Sequence, residues 1–186
     1  MLDKLVCMLE ASARGRNIAI TGGFYAIFVM ILQVGGSKIE EVAGSDAILD
    51  LRKHFTEAEA YAVLSRYGDQ GRSLYIRLEF VDFFYPLAYG TLIALVLAFV
   101  LSRAFSPASS IRRLALLPVA AVGLDYLENI GLITMAATFP ERWPRLGTVT
   151  GLFNAAKWIV VAMCLAVAVM GLFFWLVQTI RRRREA

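Results

Sequence analysis

Three polar side chains in the middle of a long apolar stretch are the residues of this sequence best suited to chemistry. They belong to GLDYLENIG, residues 123–131. At about 100° per residue, a helix places Asp125, Glu128 and Asn129 within one arc of about 100°, so they form a polar stripe. A carboxyl kept protonated by burial can donate a proton, and an ionised neighbour can stabilise a developing cation. The stripe therefore predicts acid–base roles for Asp125 and Glu128.

The stripe needs partners, because it lies inside an apolar run, residues 114–139, that is long enough to cross a bilayer. Each charge at the bilayer centre costs roughly 2.5 kcal/mol or more, and two ionised carboxylates one turn apart repel each other. Helix rise puts Lys157 about 12–14 Å and Glu128 about 15 Å from the outer ends of their spans. We therefore predict that Lys157 pairs with Glu128 first and with Asp125 second. The alternative is that its long side chain extends to the water at the helix end.

Other polar side chains occupy the same outer half of the predicted spans. The predicted ligand-binding set combines a face of the second span, a face of the fourth and the end of the stripe: Glu79, Asp82, Tyr89, Asn129, Asn154, Lys157 and Trp158. The inner half is nearly all apolar, so we expect a polar cavity open toward the extracytoplasmic side or the outer leaflet. Alternatively, the two acids of the second span lie at the interface and pair with Arg72 or Arg77, and the two asparagines form interhelical hydrogen bonds.

No metal or cofactor is predicted. His54 is the only histidine, and neither Cys7 nor Cys164 belongs to a CxxC pair, which argues against His-ligated zinc, haem and di-iron sites. A divalent cation bound by oxygen alone would need the acids of the second span beside those of the stripe. By helix rise the two pairs lie about 10 Å apart along the bundle, which is too far for one ion.

The composition is that of a membrane protein. Of 186 residues, 59% are hydrophobic and 18% are charged, whereas a soluble domain carries about 25% charged residues. The formal net charge is +4, but the basic residues flank apolar runs, where they set orientation and meet anionic lipid. Nucleic acid is therefore not an expected partner.

Four apolar stretches predict four membrane spans in one domain, at about residues 12–34, 79–102, 112–138 and 149–179. Short later turns favour an all-α, up-down four-helix bundle. The first stretch ends at Gly35-Gly36, which also suits a cleaved signal peptide. Its apolar run, residues 17–34, is 18 residues long and exceeds the usual signal core of about 7–15 residues, which favours a retained span.

The segment 37–77 between the first two spans is predicted to be mostly helical. Ser45 is a candidate N-cap for a helix over residues 46–53, and Thr56 for a second helix that ends at Gly68. Asp69 is a candidate cap for the helix that follows. The apolar sides of both predicted helices suggest a lid over the mouth of the bundle or a position in the interface.

The distribution of basic residues predicts the orientation. Ten of the nineteen Lys and Arg residues lie in the N-terminal segment, the 102–113 turn and the C-terminal tail. The positive-inside rule therefore predicts that both termini are cytoplasmic and that segment 37–77 is extracytoplasmic. The expected location is a bacterial-type inner membrane or a plasma membrane.

An intramembrane pocket for a lipid-like small molecule is the first of three functional hypotheses. Isomerisation or cyclisation of an isoprenoid or sterol-like substrate would need buried acids and no cofactor. The plan of a small helical bundle with buried acids resembles that of the EXPERA-type membrane proteins, which include sterol isomerases. The resemblance is one of organisation: it matches no motif residue by residue and carries over no site.

The other two hypotheses use the same polar stripe differently. A structural or accessory subunit would dock the stripe against a polar residue on a partner's transmembrane helix. A small proton- or cation-coupled carrier would use the acids as relay sites, although four spans and a sealed inner half disfavour this unless the protein oligomerises. The expected partner is a membrane lipid or lipid-like molecule, and a homo-oligomer or a membrane-protein partner stays open.

Overall fold

Four long apolar helical stretches make this chain an all-α integral membrane protein. The computed structural model describes residues 2–185 and contains no strand within them. Its helices are α1 Leu2–Ser12, α2 Gly15–Ala43, α3 Glu57–Arg66, α4 Gly68–Asp82, α5 Tyr85–Ala104, a 3-10 helix Ser110–Leu116, α6 Pro118–Thr138 and α7 Leu146–Glu185. The four stretches suited to spanning a membrane are α2, α4 with α5, the 3-10 helix with α6, and α7.

The four spans form an up-down bundle in which α5 packs against α2, α6 and α7. We call the end with α3 and the 139–145 turn the loop end, and the end with α1 and the C-terminal residues the tail end. The second span breaks at residues 83–84. Pro86 explains the break, because it lacks an N–H and its ring clashes with the carbonyl four residues earlier, that of Asp82.

The first span is longer than predicted and does not end at Gly35-Gly36. Helix α2 continues through both glycines to Ala43. A Cβ at Gly35 would overlap the side chain of Leu78, and one at Gly36 would lie 3.6 Å from Ile48. These glycines therefore allow close approach to neighbouring elements instead of terminating the helix. The middle of α2 has no buried residue and faces lipid over most of its surface.

The predicted lid is present over residues 57–66. Helix α3 starts with the expected cap: Thr56 accepts a hydrogen bond from the Glu59 backbone, and the Glu59 side chain accepts one from the Thr56 backbone at 2.7 Å. The Thr56 backbone N–H and hydroxyl, which both donate to the Glu59 carboxylate, lower its pKa. Buried α3 residues, among them Tyr61 and Leu64, pack with Leu132 and Met135 of α6.

The joint between α3 and α4 differs from the prediction in one detail. Gly68 connects the two helices and has φ +61°, the left-handed conformation expected of a glycine at the end of a helix. The next helix begins at Gly68 itself, and Asp69 does not cap it. The Asp69 carboxylate instead pairs with Arg72 in the first turn of α4.

The predicted helix over residues 46–53 is wrong. Residues 44–56 form turns and irregular chain that enter the loop end of the bundle, and we call them the inserted loop. Ala47, Leu49 and Phe55 in this loop are fully buried. The irregular chain also buries Ile48 in the same apolar core as α3 and α6, and it leaves Leu51 exposed.

The tail end is closed by α1, which lies against the 3-10 helix. Arg113 binds Asp3 at 2.8 Å, and Arg112 binds Glu10 at 2.7 Å. The arginine beside Asp3 lowers the pKa of that carboxyl. Below the polar region, a second apolar core joins Leu97 and Leu101 of α5 to Cys164 of α7.

This arrangement sharpens the orientation prediction, because α1, the 102–113 turn and the C-terminal arginines all lie at the tail end. The positive-inside rule then predicts a cytoplasmic tail end. We expect a fluorescent protein fused to the C-terminus to fold and fluoresce in a bacterial host, and a phosphatase fused there to be inactive. An active phosphatase would reverse the orientation.

Candidate functional site

The Lys157 ammonium stands at the centre of the polar groups inside the bundle. Helix α7 brings it between two carboxylates of α6: it pairs with Glu128 and lies 3.5 Å from Asp125. All three side chains are at least nine-tenths buried. These partners, and their order, are the ones predicted from depth. The alternative, in which Lys157 extends to water, is wrong.

Two further hydrogen bonds tie the second span to the α6 stripe. The Tyr89 hydroxyl of α5 donates to Asp125 at 2.8 Å, and the Asn129 amide donates to Asp82 at 2.6 Å. The carboxylate of Asp125 therefore has a cation on one oxygen and a hydroxyl on the other. Glycines help the helices approach this closely, since a Cβ at Gly131 of α6 would overlap Thr150 of α7.

The predicted depth of Glu79 and Asp82 is wrong. They are only 3% and 5% exposed, and neither pairs with Arg72 or Arg77 in the described chain. Helix α4 starts at Gly68 instead of near residue 79, so these acids lie about 16–21 Å along the second span from its start. The bond from Asn129 to Asp82 places them at the level of the stripe.

The inserted loop adds an acid that the sequence did not point to. Three of its carbonyls accept hydrogen bonds from side chains outside the loop: Ala47 from Tyr67, Leu49 from Asn154 at 3.2 Å, and Asp50 from Trp158 at 3.3 Å. Such bonds are needed where irregular backbone lies inside a membrane bundle. Asn154 and Trp158, predicted to bind ligand, therefore also hold Asp50 in place.

Asp50 faces the other polar groups. Burial raises the pKa of its carboxyl above the usual range, and the nearby Lys157 ammonium opposes that rise. One hint in the sequence could have identified it, because Asp50 is the single acid in the apolar run AILDL, residues 47–51. The helical interpretation of that run gave Asp50 no role.

Comparison of the chain with known protein families, curated proteins and solved structures finds no match. Any functional assignment therefore rests on the geometry and chemistry of the site itself.

Acidic groups outnumber cations in this region. Five carboxyls form what we call the acid cluster: Asp50, Glu79, Asp82, Asp125 and Glu128. Within the described chain, Lys157 is the one cation that pairs with any of them. Several buried acceptors of the region, including Glu79 Oε2, Asn129 Oδ1 and Asn154 Oδ1, receive no hydrogen bond from the protein. The region is therefore rich in acceptors and suits a partner that donates hydrogen bonds or carries positive charge.

Three members of the acid cluster face a cavity of about 650 Å³ between α2 and α4, which we call the lateral cavity. Its apolar walls include Val29 and Leu32 of α2 and Leu78 of α4. Its polar lining includes the three carboxyls Asp50, Glu79 and Asp82, together with Gln33, Ser37 and Glu40 of α2. The exposed face of α2 borders it, so the cavity lies beside the lipid.

The predicted site residues thus divide into groups. Glu79 and Asp82 line the lateral cavity. Behind this wall, Asn129 contacts Asp82. The residues there that contact one another are Tyr89, Asp125, Glu128 and Lys157. Because Asp82 lies beside the stripe, the depth argument against a shared cation no longer holds. Among the described residues, however, no three His, Cys, Asp or Glu side chains are arranged to hold a metal ion.

Proposed function

We propose that this protein binds a lipid-like molecule, taken from the bilayer between α2 and α4, in the lateral cavity. The apolar body of the ligand lies along α2, and its polar end donates hydrogen bonds to Asp50, Glu79 and Asp82. The observation that carries the proposal is the combination of an apolar cavity beside the lipid with carboxyls at its inner end.

The size and lining of the cavity support this function. Ligand sites are typically about 300–1,000 Å³, mostly apolar, with a few convergent polar groups, and the lateral cavity has about 650 Å³. Its outer wall is α2, which contacts the bundle partly through stacked rings, Tyr25 on Tyr85 at 5.8 Å and Phe28 on Phe84 at 6.5 Å. A wall with so little buried surface can move to admit a molecule from the side.

The same carboxyls could carry out an acid–base isomerisation without a cofactor. A protonated carboxyl gives its proton to a double bond, and an ionised neighbour removes one from the adjacent carbon, so nothing is consumed. In this scheme Glu79 and Asp82 exchange protons with the substrate. Asn129 positions Asp82 through the hydrogen bond that it donates. Asp125 and Glu128, which face Lys157, lie behind the cavity wall.

Native mass spectrometry of the purified protein tests the binding function. We expect a bound apolar molecule on the wild-type protein, and its loss in Val29→Trp, which fills the cavity but leaves every carboxyl in place. Glu79→Gln with Asp82→Asn should weaken its retention. Ile31→Trp is the matched control, because Ile31 lies on the exposed face of α2, and it should keep the molecule.

Two results would overturn the proposal. One is equal retention of the molecule by Val29→Trp and Ile31→Trp, since the ligand would then lie elsewhere. The other is a stoichiometric membrane protein that co-purifies while no small molecule is found, which would favour an accessory subunit.

A further inference from the structure

A second cavity, of about 580 Å³, lies at the tail end, on the far side of the bundle from the acid cluster. We call it the basic cavity. It is formed by the end of α5, the turn that follows and the last turns of α7. Its polar lining consists of Arg103, Arg182, two serines, Gln178 and Thr179, with Trp175 beside them.

Arg103 is held in a defined position on the α5 wall. Its guanidinium donates to the Phe99 carbonyl at 2.8 Å, lies 3.4 Å above the Phe99 ring and is 5.8 Å from the Trp175 ring. Gln178 of α7 donates to the Ala104 carbonyl at 2.8 Å, which joins the two walls. Because the walls are joined, Arg103 and Arg182 stay on opposite sides of one cleft.

The charge of the basic cavity is unbalanced. No carboxylate lines it among the described side chains, and neither Arg103 nor Arg182 forms a salt bridge there. In contrast, the neighbouring Arg112 and Arg113 are each paired with a carboxylate of α1. Two guanidinium groups with hydroxyl and amide donors between them form a site for an anion with several acceptor oxygens.

We propose that the basic cavity binds the phosphate of an anionic phospholipid. Two guanidinium groups can each give two hydrogen bonds to one phosphate. The site lies where α5 leaves the membrane, and Trp175 is of a residue type enriched at that depth, so a headgroup can enter while its acyl chains remain in the bilayer. Phe174, about half exposed and next to the cavity, offers apolar surface to those chains.

The test measures phosphatidylglycerol retained by the full-length protein after extraction from mixed phosphatidylglycerol–phosphatidylcholine nanodiscs, by native mass spectrometry. We expect Arg103→Gln with Arg182→Gln to lower retention about tenfold or more, because each charge-assisted hydrogen bond lost is strong. Arg181→Gln with Arg183→Gln is the control, since it removes the same number of positive charges at the tail end from α7 residues that do not line the cavity. Equal losses in the two pairs would mean general attraction to the tail, and would overturn the site.

A single substitution at Arg182 tests the site while leaving Arg103 and its contacts with Phe99 intact. Arg182→Glu reverses the charge of an exposed residue, and its control is Arg181→Glu. We expect only the former to abolish retention, with equal thermal unfolding of both variants. Inorganic phosphate in excess, added to the wild-type protein, distinguishes the source of the anion: a phospholipid site keeps its lipid, whereas displacement of the lipid by free phosphate would overturn the lipid assignment.

Discussion

Lys157→Met is expected to unfold at a markedly lower temperature than the wild-type protein in detergent. The substitution removes the cation between Asp125 and Glu128, and both carboxylates stay buried. Breaking a buried pair from one side typically costs about 3–5 kcal/mol, because a charge is left without its partner. The control is Lys38→Met, which makes the same change in charge at an exposed position of α2 and should have little effect.

The partner of Lys157 is identified by a double-mutant cycle. Glu128→Gln combined with Lys157→Met should be more stable than the sum of the two single losses predicts, by about 0.5–3 kcal/mol, since the combination leaves no unpaired charge at Glu128. Additive losses would show that the two groups do not interact in solution. An unchanged melting temperature in Lys157→Met would contradict the pairing itself.

Gly151→Ala is expected to be the most disruptive single-methyl change at the loop end. A Cβ at Gly151 would overlap the carbonyl oxygen of Phe55 and lie 3.4 Å from its ring. The clash is with backbone of the inserted loop, so no side-chain rotation relieves it, and α7 and the loop must move apart. Overpacking of this kind costs about 1–3 kcal/mol or more, which thermal unfolding in detergent measures.

The matched control is Gly123→Ala, also in a helix of the bundle. Nothing lies within 4 Å of the Cβ it would add, and alanine favours a helix over glycine by up to about 1 kcal/mol. We expect Gly123→Ala to equal or exceed the wild-type melting temperature. If Gly151→Ala and Gly123→Ala have the same melting temperature, the inserted loop does not pack on α7 as described.

The spans could be predicted from the length and hydrophobicity of the apolar stretches. The ion pair between Lys157 and Glu128 could be predicted from helix rise. Lys157 and Glu128 lie on the two spans joined by a short turn, so helix rise from a common boundary was enough to match their depths. The second span was harder, because α4 begins with a polar sequence, GDQGRSLYIRLE, that hides a helix continuous with the membrane. The predicted depths of Glu79 and Asp82 were therefore too small.

The inserted loop could not be predicted from local signals. Ser45 and the apolar residues 47–51 fit a short helix, but the chain there follows tertiary contacts with Tyr67, Asn154 and Trp158. These donors come from elements 20 to 108 residues away, and no local pattern contains them. The role of Asp50 was missed for the same reason, since it depends on a loop that only the assembled bundle can hold.

The ion pair between α6 and α7 has a consequence for biogenesis. Alone in lipid, each of these helices would carry buried charge at a cost of a few kcal/mol or more. When the two helices insert together, Lys157 pairs with the α6 carboxylates, and this pairing removes much of that cost. We therefore expect α6 and α7, which are joined by a short turn, to leave the translocon as one hairpin. Helix α2 has no charge in its middle, so it can remain in the bilayer as a single helix before it packs against the others. We therefore expect α2, which is synthesised before α6 and α7, to dock after them and to close the lateral cavity.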